Sequence, residues 1–169
     1  NTFFAIKSIG SLSNKKIKFD LYGTIEDTIY WSKCLELIKS FPESNINYCG
    51  EYSHDSLIDK FAMYDLMFLP TKGENFGHSI LESFALGLPV LISNNTPWTN
   101  LHKHKVGYDL DLKNPKDFIK KIIQFVDLND HELLVMRKNC ISYFNKVINV
   151  DYITQKYDFI FSKQIKRKI

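Results

Sequence analysis

The sequence predicts an α/β domain, a parallel sheet with helices on both faces. Three observations lead there. Helical and extended apolar patterns alternate along most of the 169 residues. Two extended runs, "LMFLP" (66–70) and "PVLIS" (89–93), are continuously apolar, as parallel strands buried on both faces are. Between them "ENFGHSILESFALG" has helical spacing from about Gly77 until Gly87 stops it, which makes a strand–helix–strand unit.

The other elements follow in chain order. "TFFAIKSIGSL" already has helical spacing with no strand before it, so the chain is expected to begin inside a larger protein. "IKFDLYG" (17–23) alternates apolar and polar residues and reads as a strand. Trp31, Cys34, Leu35 and Ile38 recur at helical spacing, and Phe41-Pro42 ends that helix. "INYCG" (46–50) is a short strand, and Ser53 caps a helix with Leu57, Ile58, Phe61 and Ala62 on one face. "VGYDLDL" (106–112) is a further strand. Asn114 and Pro115 then start a helix as cap and first residue, burying Phe118, Ile119, Ile122, Ile123 and Val126. Residues from about 131 to 144 and 152 to 161 are expected to form two more helices. The domain division is 1–150 for the α/β unit and 151–169 for a last helix and basic tail.

Composition narrows the class. With 44% hydrophobic and 24% charged residues the chain is ordinary for a globular protein, and a net charge of +3 gives no reason to invoke nucleic acid. No apolar run approaches the roughly 20 residues of a membrane span, and no signal-peptide pattern opens the sequence. Cys34, Cys49 and Cys140 are scattered and read as reduced thiols, which points to the cytoplasm.

In open α/β sheets ligands bind beyond the carboxyl ends of the strands. Loops 70–76 and 94–99 both arrive at that edge. The first leads into a helix N-terminus, where unpaired N–H groups of about Gly77, His78 and Ser79 suit a phosphate. Gly73 and Gly77 let backbone and ligand approach closely. Glu74 stands at the mouth, placed to accept hydrogen bonds from sugar hydroxyls, and Glu82 can reach a ribose hydroxyl pair if its face points to the cleft. A plainer reading competes: Ser79-Ile-Leu-Glu82 is itself a capping box, and Glu74 favours the helix dipole. His78 either points into the cleft or caps the helix start. His102 and His104 in "LHKHKVG" read as loop histidines without metal-binding partners, and Trp98 as packing or as a wall of the pocket.

The stretch "LPTKGENFGHSILESFALGLPVLIS" resembles the signature of the group 1 (family 4) retaining glycosyltransferases. Leu69-Pro70-Thr71, Glu74, Phe76-Gly77, Glu82 and Gly87-Leu88-Pro89-Val90 match, an E-x7-E pattern in its usual setting. Ala62 with Asp65 and Gly107 match the flanks, and the resemblance spans about residues 1–126. It implies a GT-B enzyme of two Rossmann-like domains, this one being the C-terminal, nucleotide-sugar-binding half, with its first strand missing. By that analogy Glu74 is the catalytic-site carboxylate at the donor sugar. Asn75, Phe76, Gly77 and His78 meet sugar and diphosphate, with Ser79 and Ile80 adding helix-terminal N–H contacts. Glu82 binds the ribose, and Gly50, Glu51 and Tyr52 lie at the base. No cofactor or divalent metal is implied.

The partners implied are a nucleotide sugar and, through the N-terminal domain, a glycan or lipid-linked acceptor; no nucleic acid is expected. The basic tail "KQIKRKI" suggests peripheral attraction to the inner face of a membrane. Three departures stand out. Asn75 replaces a glycine. "TPWTN" replaces Gly-Gly-x-x-Glu, a variant similar to that of polysaccharide-assembly transferases. By the resemblance, the family's Arg/Lys diphosphate ligands lie before and at the start of the first helix, inside which this chain is expected to begin, so residues 1–169 by themselves are expected to transfer no sugar. The competing reading is a non-catalytic α/β binding or regulatory module, such as a receiver-like domain, although Asp65 precedes the strand whose end should carry a phosphoacceptor. A dinucleotide-binding dehydrogenase is disfavoured, since no G-x-G-x-x-G follows a strand.

Overall fold

The computed structural model describes residues 1–12, 16–51 and 57–148, and for 57–59 the backbone only. Seven helices and five strands occur among the described residues: α1 (Thr2–Gly10), β1 (Lys18–Leu21), α2 (Thr28–Lys39), β2 (Asn45–Tyr48), α3 (Leu57–Ala62), β3 (Met67–Leu69), α4 (His78–Ala85), β4 (Val90–Ser93), α5 (Leu101–His104), β5 (Gly107–Leu110), α6 (Pro115–Val126) and α7 (Asp130–Val147). Every ladder is parallel. β1 pairs with β2, while β3, β4 and β5 pair in that order, so the strands form two separate sheets. The expected helix over 152–161, the cap at Ser53 and the basic tail lie outside the described residues.

β4 shows how the layers arise. Its four residues are all buried, and successive side chains leave a strand on opposite faces. Val90 and Ile92 join Ile80 and Phe84 of α4, Leu101, Val106 and Cys140 of α7. Leu91 joins Ile6 and Ile9 of α1, Cys34 of α2, Ile46 of β2, and Phe118 and Ile122 of α6. Helices therefore cover both faces of a parallel sheet, a Rossmann-like α/β fold. Burying a side chain such as Phe84 or Phe118, both wholly inaccessible, is worth about 1.5–3 kcal/mol.

Several expected faces shift. Leu35, Ala62 and Ile123 are exposed rather than buried, because each helix buries a narrower stripe than its apolar residues offer. β3 is only half buried, since among the described residues no strand pairs with its outer edge. Asn114 holds the cap position of α6, yet its side chain makes no capping bond. α7 is capped by Asn129 through a reciprocal capping box with Glu132. Residues 101–104, read as loop, form the short helix α5: the carboxylate of Asp109 accepts the N–H groups of Asn100 (3.0 Å) and Leu101 (2.9 Å) and so fixes its start. Cys34 and Cys140 are buried free thiols and Cys49 an exposed one.

Candidate functional site

Because the strands are parallel, the loops following β1 to β5 all emerge at one edge. The loop after β3 is tied to the one after β4 at three points. Ser93 Oγ donates to the Thr71 carbonyl (2.5 Å), the Glu74 N–H donates to the Asn95 carbonyl (3.2 Å), and Trp98 Nε1 donates to the Phe76 carbonyl (2.5 Å). Within the first loop, Thr71 Oγ1 donates to the Gly73 carbonyl (2.8 Å). Within the second, the Trp98 N–H donates to Thr96 Oγ1 (3.2 Å).

Trp98 is the anchor of this arrangement. Its indole is buried against Phe84 of α4 and Tyr143 of α7, edge to face, while its N–H reaches the loop. Packing and loop positioning are both its work; the sequence reading offered packing or a wall of the pocket, not the bond that holds the loop. The Thr-x-Trp pattern of residues 96–98, with a hydroxyl able to turn the backbone, was the available signal.

At the end of the loop Gly77 takes the left-handed conformation (φ 79°, ψ 63°) and caps α4. A Cβ there would lie 2.9 Å from Ile80 Cδ1 and 3.1 Å from Glu74 Cγ, so the position demands glycine both by dihedral and by space. The helix starts at His78, and Ser79 lies inside it. The capping box proposed at Ser79–Glu82 is thus not formed, because the left-handed Gly77 turns the chain into the helix two residues sooner.

The backbone accounts separate the site residues. Among the described residues the N–H groups of Gly77, His78 and Ser79 make no hydrogen bond within the protein, as the first turn of a helix requires. The Ile80 N–H instead donates to the Gly77 carbonyl (3.0 Å), and its side chain is wholly buried in the core. Ile80 therefore has no free N–H to offer a ligand, contrary to expectation. The Asn75 N–H donates to Glu74 Oε1 (3.0 Å), which folds that carboxylate over the loop.

Phe76 is 43% exposed, its ring between His78 (4.9 Å) and Trp98 (5.9 Å), while His78 and Glu74 are exposed as well. Glu82 is half buried and, among the described residues, its carboxylate has no partner. It lies four residues after His78 and three after Ser79, on the same face of α4. Helical side chains lean toward the N-terminus, so Glu82 leans toward the turn that carries the free N–H groups.

The loops after β1 and β2 meet nearby in the fold. The Gly23 N–H donates to the Gly50 carbonyl (3.0 Å), the Tyr48 hydroxyl donates to the Gly23 carbonyl (2.8 Å), and Trp31 packs on Tyr48 at 4.7 Å between ring centroids. Gly50 adopts φ 73° and Glu51 is exposed; Tyr52 lies outside the described residues. His102 and His104 sit two apart on α5, a spacing that points side chains in different directions. Among the described residues no three His, Cys, Asp or Glu groups come together as metal ligands. Asp65 is an exposed residue beside Arg137 (3.3 Å) and precedes β3, unlike a receiver's phosphoacceptor.

A Rossmann-like half with glycine loop and helix N-terminus at its carboxyl edge is the architecture of GT-B glycosyltransferases, and solved structures of that class superpose on it. A glycosyltransferase from Rickettsia africae matches 99% of this chain and 45% of its own, with a TM-score of 0.81 at 17% identity. Anabaena HepE, in complex with UDP and glucose, matches 94% of this chain and 44% of its own, with a TM-score of 0.76 at 15% identity. In sequence, the UDP-Gal:α-D-GlcNAc-diphosphoundecaprenol α-1,3-galactosyltransferase of Escherichia coli is 32% identical over 97 residues, 57% of this chain and 24% of that protein. The model of the family "Glycosyl transferases group 1" matches residues 1–146, and the chain belongs to that family. It spans less than half the length of each of these relatives. No helix among the described residues is long and apolar enough to cross a membrane.

Proposed function

We propose that this chain is the donor-binding domain of a retaining glycosyltransferase that takes a hexosyl group from a UDP-sugar. The observation that carries this reading is the N-terminus of α4, where three unpartnered N–H groups lie between the carboxylates of Glu74 and Glu82. That array suits a diphosphate flanked by two hydroxyl-bearing sugars, with hydroxyls donating to carboxylates and N–H groups donating to phosphate oxygens. UDP is favoured over other nucleotides because a UDP-sugar appears in the E. coli relative's name and UDP is bound in HepE.

In this reading Glu82 accepts from the ribose hydroxyl pair and Glu74 from the transferred sugar. Gly77, His78 and Ser79 hold the diphosphate, and the loop at Gly50 and Glu51 approaches the base. Catalysis is chiefly electrostatic. As the bond from the sugar's anomeric carbon to the phosphate oxygen breaks, its electron pair leaves with the diphosphate, and N–H groups fixed in advance stabilise that charge. The acceptor, a glycan or lipid-linked saccharide in surface-polysaccharide assembly, would be held by the part of the enzyme that the relatives have beyond this span. The test is thermal shift and calorimetry of the chain with UDP, UDP-glucose, UDP-galactose, GDP-mannose, NAD and acetyl phosphate. Stabilisation by the uridine ligands is expected; stabilisation by NAD or acetyl phosphate alone would overturn the reading.

A further inference from the structure

We infer that Lys72 is the cation of the donor site: its ammonium lies against the β-phosphate of the bound nucleotide sugar and stabilises the departing diphosphate. The inference rests on the donor reading and adds to it a residue that the reading leaves unused. As that reading stands, the diphosphate meets three N–H groups at the start of α4, with the carboxylates of Glu74 and Glu82 on either side. A helix N-terminus is worth roughly half an elementary charge, whereas each carboxylate repels the anion with a full one. What the array lacks is a side chain of full positive charge.

The loops at the carboxyl edge identify it by elimination. Residues 22–27 after β1 hold Glu26 and Asp27 but no lysine or arginine, and residues 49–51 after β2 hold only Glu51. Residues 94–100 after β4 carry no charged side chain. Lys113 follows β5, two strands away from β3, and Lys60 of α3 is held over the Tyr22 ring at 4.7 Å. Lys72 stands in the loop after β3 itself, two residues before Glu74. Its turn is fixed on both sides: Thr71 Oγ1 donates to the Gly73 carbonyl (2.8 Å) and accepts the Gly73 N–H (3.3 Å), while Ser93 holds the Thr71 carbonyl. Thr71 and Ser79 line one cavity, so this turn faces the first turn of α4. The same loop reaches the start of α1, where Asn1 Nδ2 donates to the Pro70 carbonyl (2.8 Å). Burial, and after it the charge of Lys72, lower the pKa of the Asn1 amine, which agrees with that placement. The Lys72 side chain is exposed and, among the described residues, makes no ion pair or hydrogen bond. An unpaired ammonium on a rigid turn is thus free to meet a phosphate that sits at the start of α4.

As the bond from the anomeric carbon to the β-phosphate oxygen breaks, its electron pair stays on that oxygen. The ammonium keeps its proton and acts by charge alone. The test is calorimetry of the chain with UDP and with UMP at low and high salt, on the parent, Lys72→Gln, Lys72→Arg and Lys113→Gln, with Tm as the check on folding. Lys72→Gln should weaken UDP roughly tenfold or more and flatten the salt dependence of its binding, while UMP affinity stays within about twofold. Lys72→Arg keeps the charge and should hold UDP affinity within about threefold of the parent. Lys113→Gln should change neither ligand. Equal UDP affinity in the parent and Lys72→Gln, or an equal loss for UDP and UMP, would overturn the inference and leave the donor reading standing. So would a loss in Lys113→Gln as large as that in Lys72→Gln. A parent that binds neither UDP nor UMP would overturn the donor reading itself, and the inference with it.

Discussion

The indole N–H of Trp98 donates to the carbonyl oxygen of Phe76 at 2.5 Å, joining a residue buried in the core to the last residue before the glycine that caps α4. Through this bond the packing of Phe84 and Tyr143 fixes the position of a loop that the proposed donor must touch. Trp98→Phe keeps the aromatic packing and deletes the donor. The loss in stability is expected to be modest, about 0.5–1.5 kcal/mol in urea unfolding. UDP affinity should fall as well, because the turn at Gly77 is no longer held. Calorimetry showing unchanged UDP affinity would mean that the bond is purely structural.

Gly73 and Gly77 lie on one loop and should respond differently to alanine. Gly77 has φ 79° and no room, while a Cβ on Gly73 would meet nothing within 4 Å. The left-handed dihedral alone costs roughly 1–2 kcal/mol for a residue with a Cβ, and the contact with Ile80 adds to it. Gly77→Ala should lower Tm by several degrees; Gly73→Ala should leave it within about a degree. If Gly73→Ala nonetheless weakens binding, the backbone at Gly73 approaches the ligand.

What the sequence made legible follows from period and punctuation. The alternation of "IKFDLYG" announced β1, whose Phe19 and Leu21 pack against the core, and the apolar run 89–93 announced β4, buried on both faces. Gly77 and Gly87 marked the ends of α4 closely. Local pattern could not show that the sheet is split, because β1 and β3 look like any other strands until their partners are known. Trp98 was hidden for the same reason. A tryptophan reads as core, and only tertiary geometry shows that its N–H holds a carbonyl 22 residues away. Ile80 entered only through the family analogy; its N–H is taken by the Gly77 carbonyl, a bond that local pattern does not show.

Asp20 gives the fold an acid-sensitive point. Burial acts to raise its carboxyl, but hydrogen bonds from Lys18, Tyr64 and Asn47 overcome that and hold it below the ordinary aspartate value of 3.8. The contacts are Lys18 Nζ at 2.6 Å, the Tyr64 hydroxyl at 2.7 Å and Asn47 Nδ2 at 3.1 Å, with the Tyr22 hydroxyl 2.9 Å from that of Tyr64. A group whose pKa is lower in the folded state stabilises it above the unfolded pKa and loses that contribution as pH falls through the folded one. Unfolding followed from pH 6 downward should therefore show a loss below about pH 4 that is shallower in Asp20→Asn. Parallel curves for the two proteins would remove Asp20 from the account.

The two glutamates of the site should divide the donor between them. Glu82 leans from the second turn of α4 toward the free N–H groups and has no partner among the described residues, so its carboxylate is available to a ribose. Glu74 sits outside the helix, its carboxylate over the Asn75 N–H, at the end where the transferred sugar would lie. Each charged hydrogen bond is worth about 1.5–3 kcal/mol, hence roughly tenfold or more in affinity. Glu82→Ala should weaken UDP and UDP-sugar binding alike. Glu74→Ala should leave UDP affinity nearly unchanged and erase any preference between UDP-glucose and UDP-galactose. Neither bond supports the core, so both variants should unfold within about 0.5 kcal/mol of the parent. Equal UDP affinity in the parent and in a folded Glu82→Ala would remove the ribose role; loss of UDP affinity confined to Glu74→Ala would reverse the donor's orientation along α4.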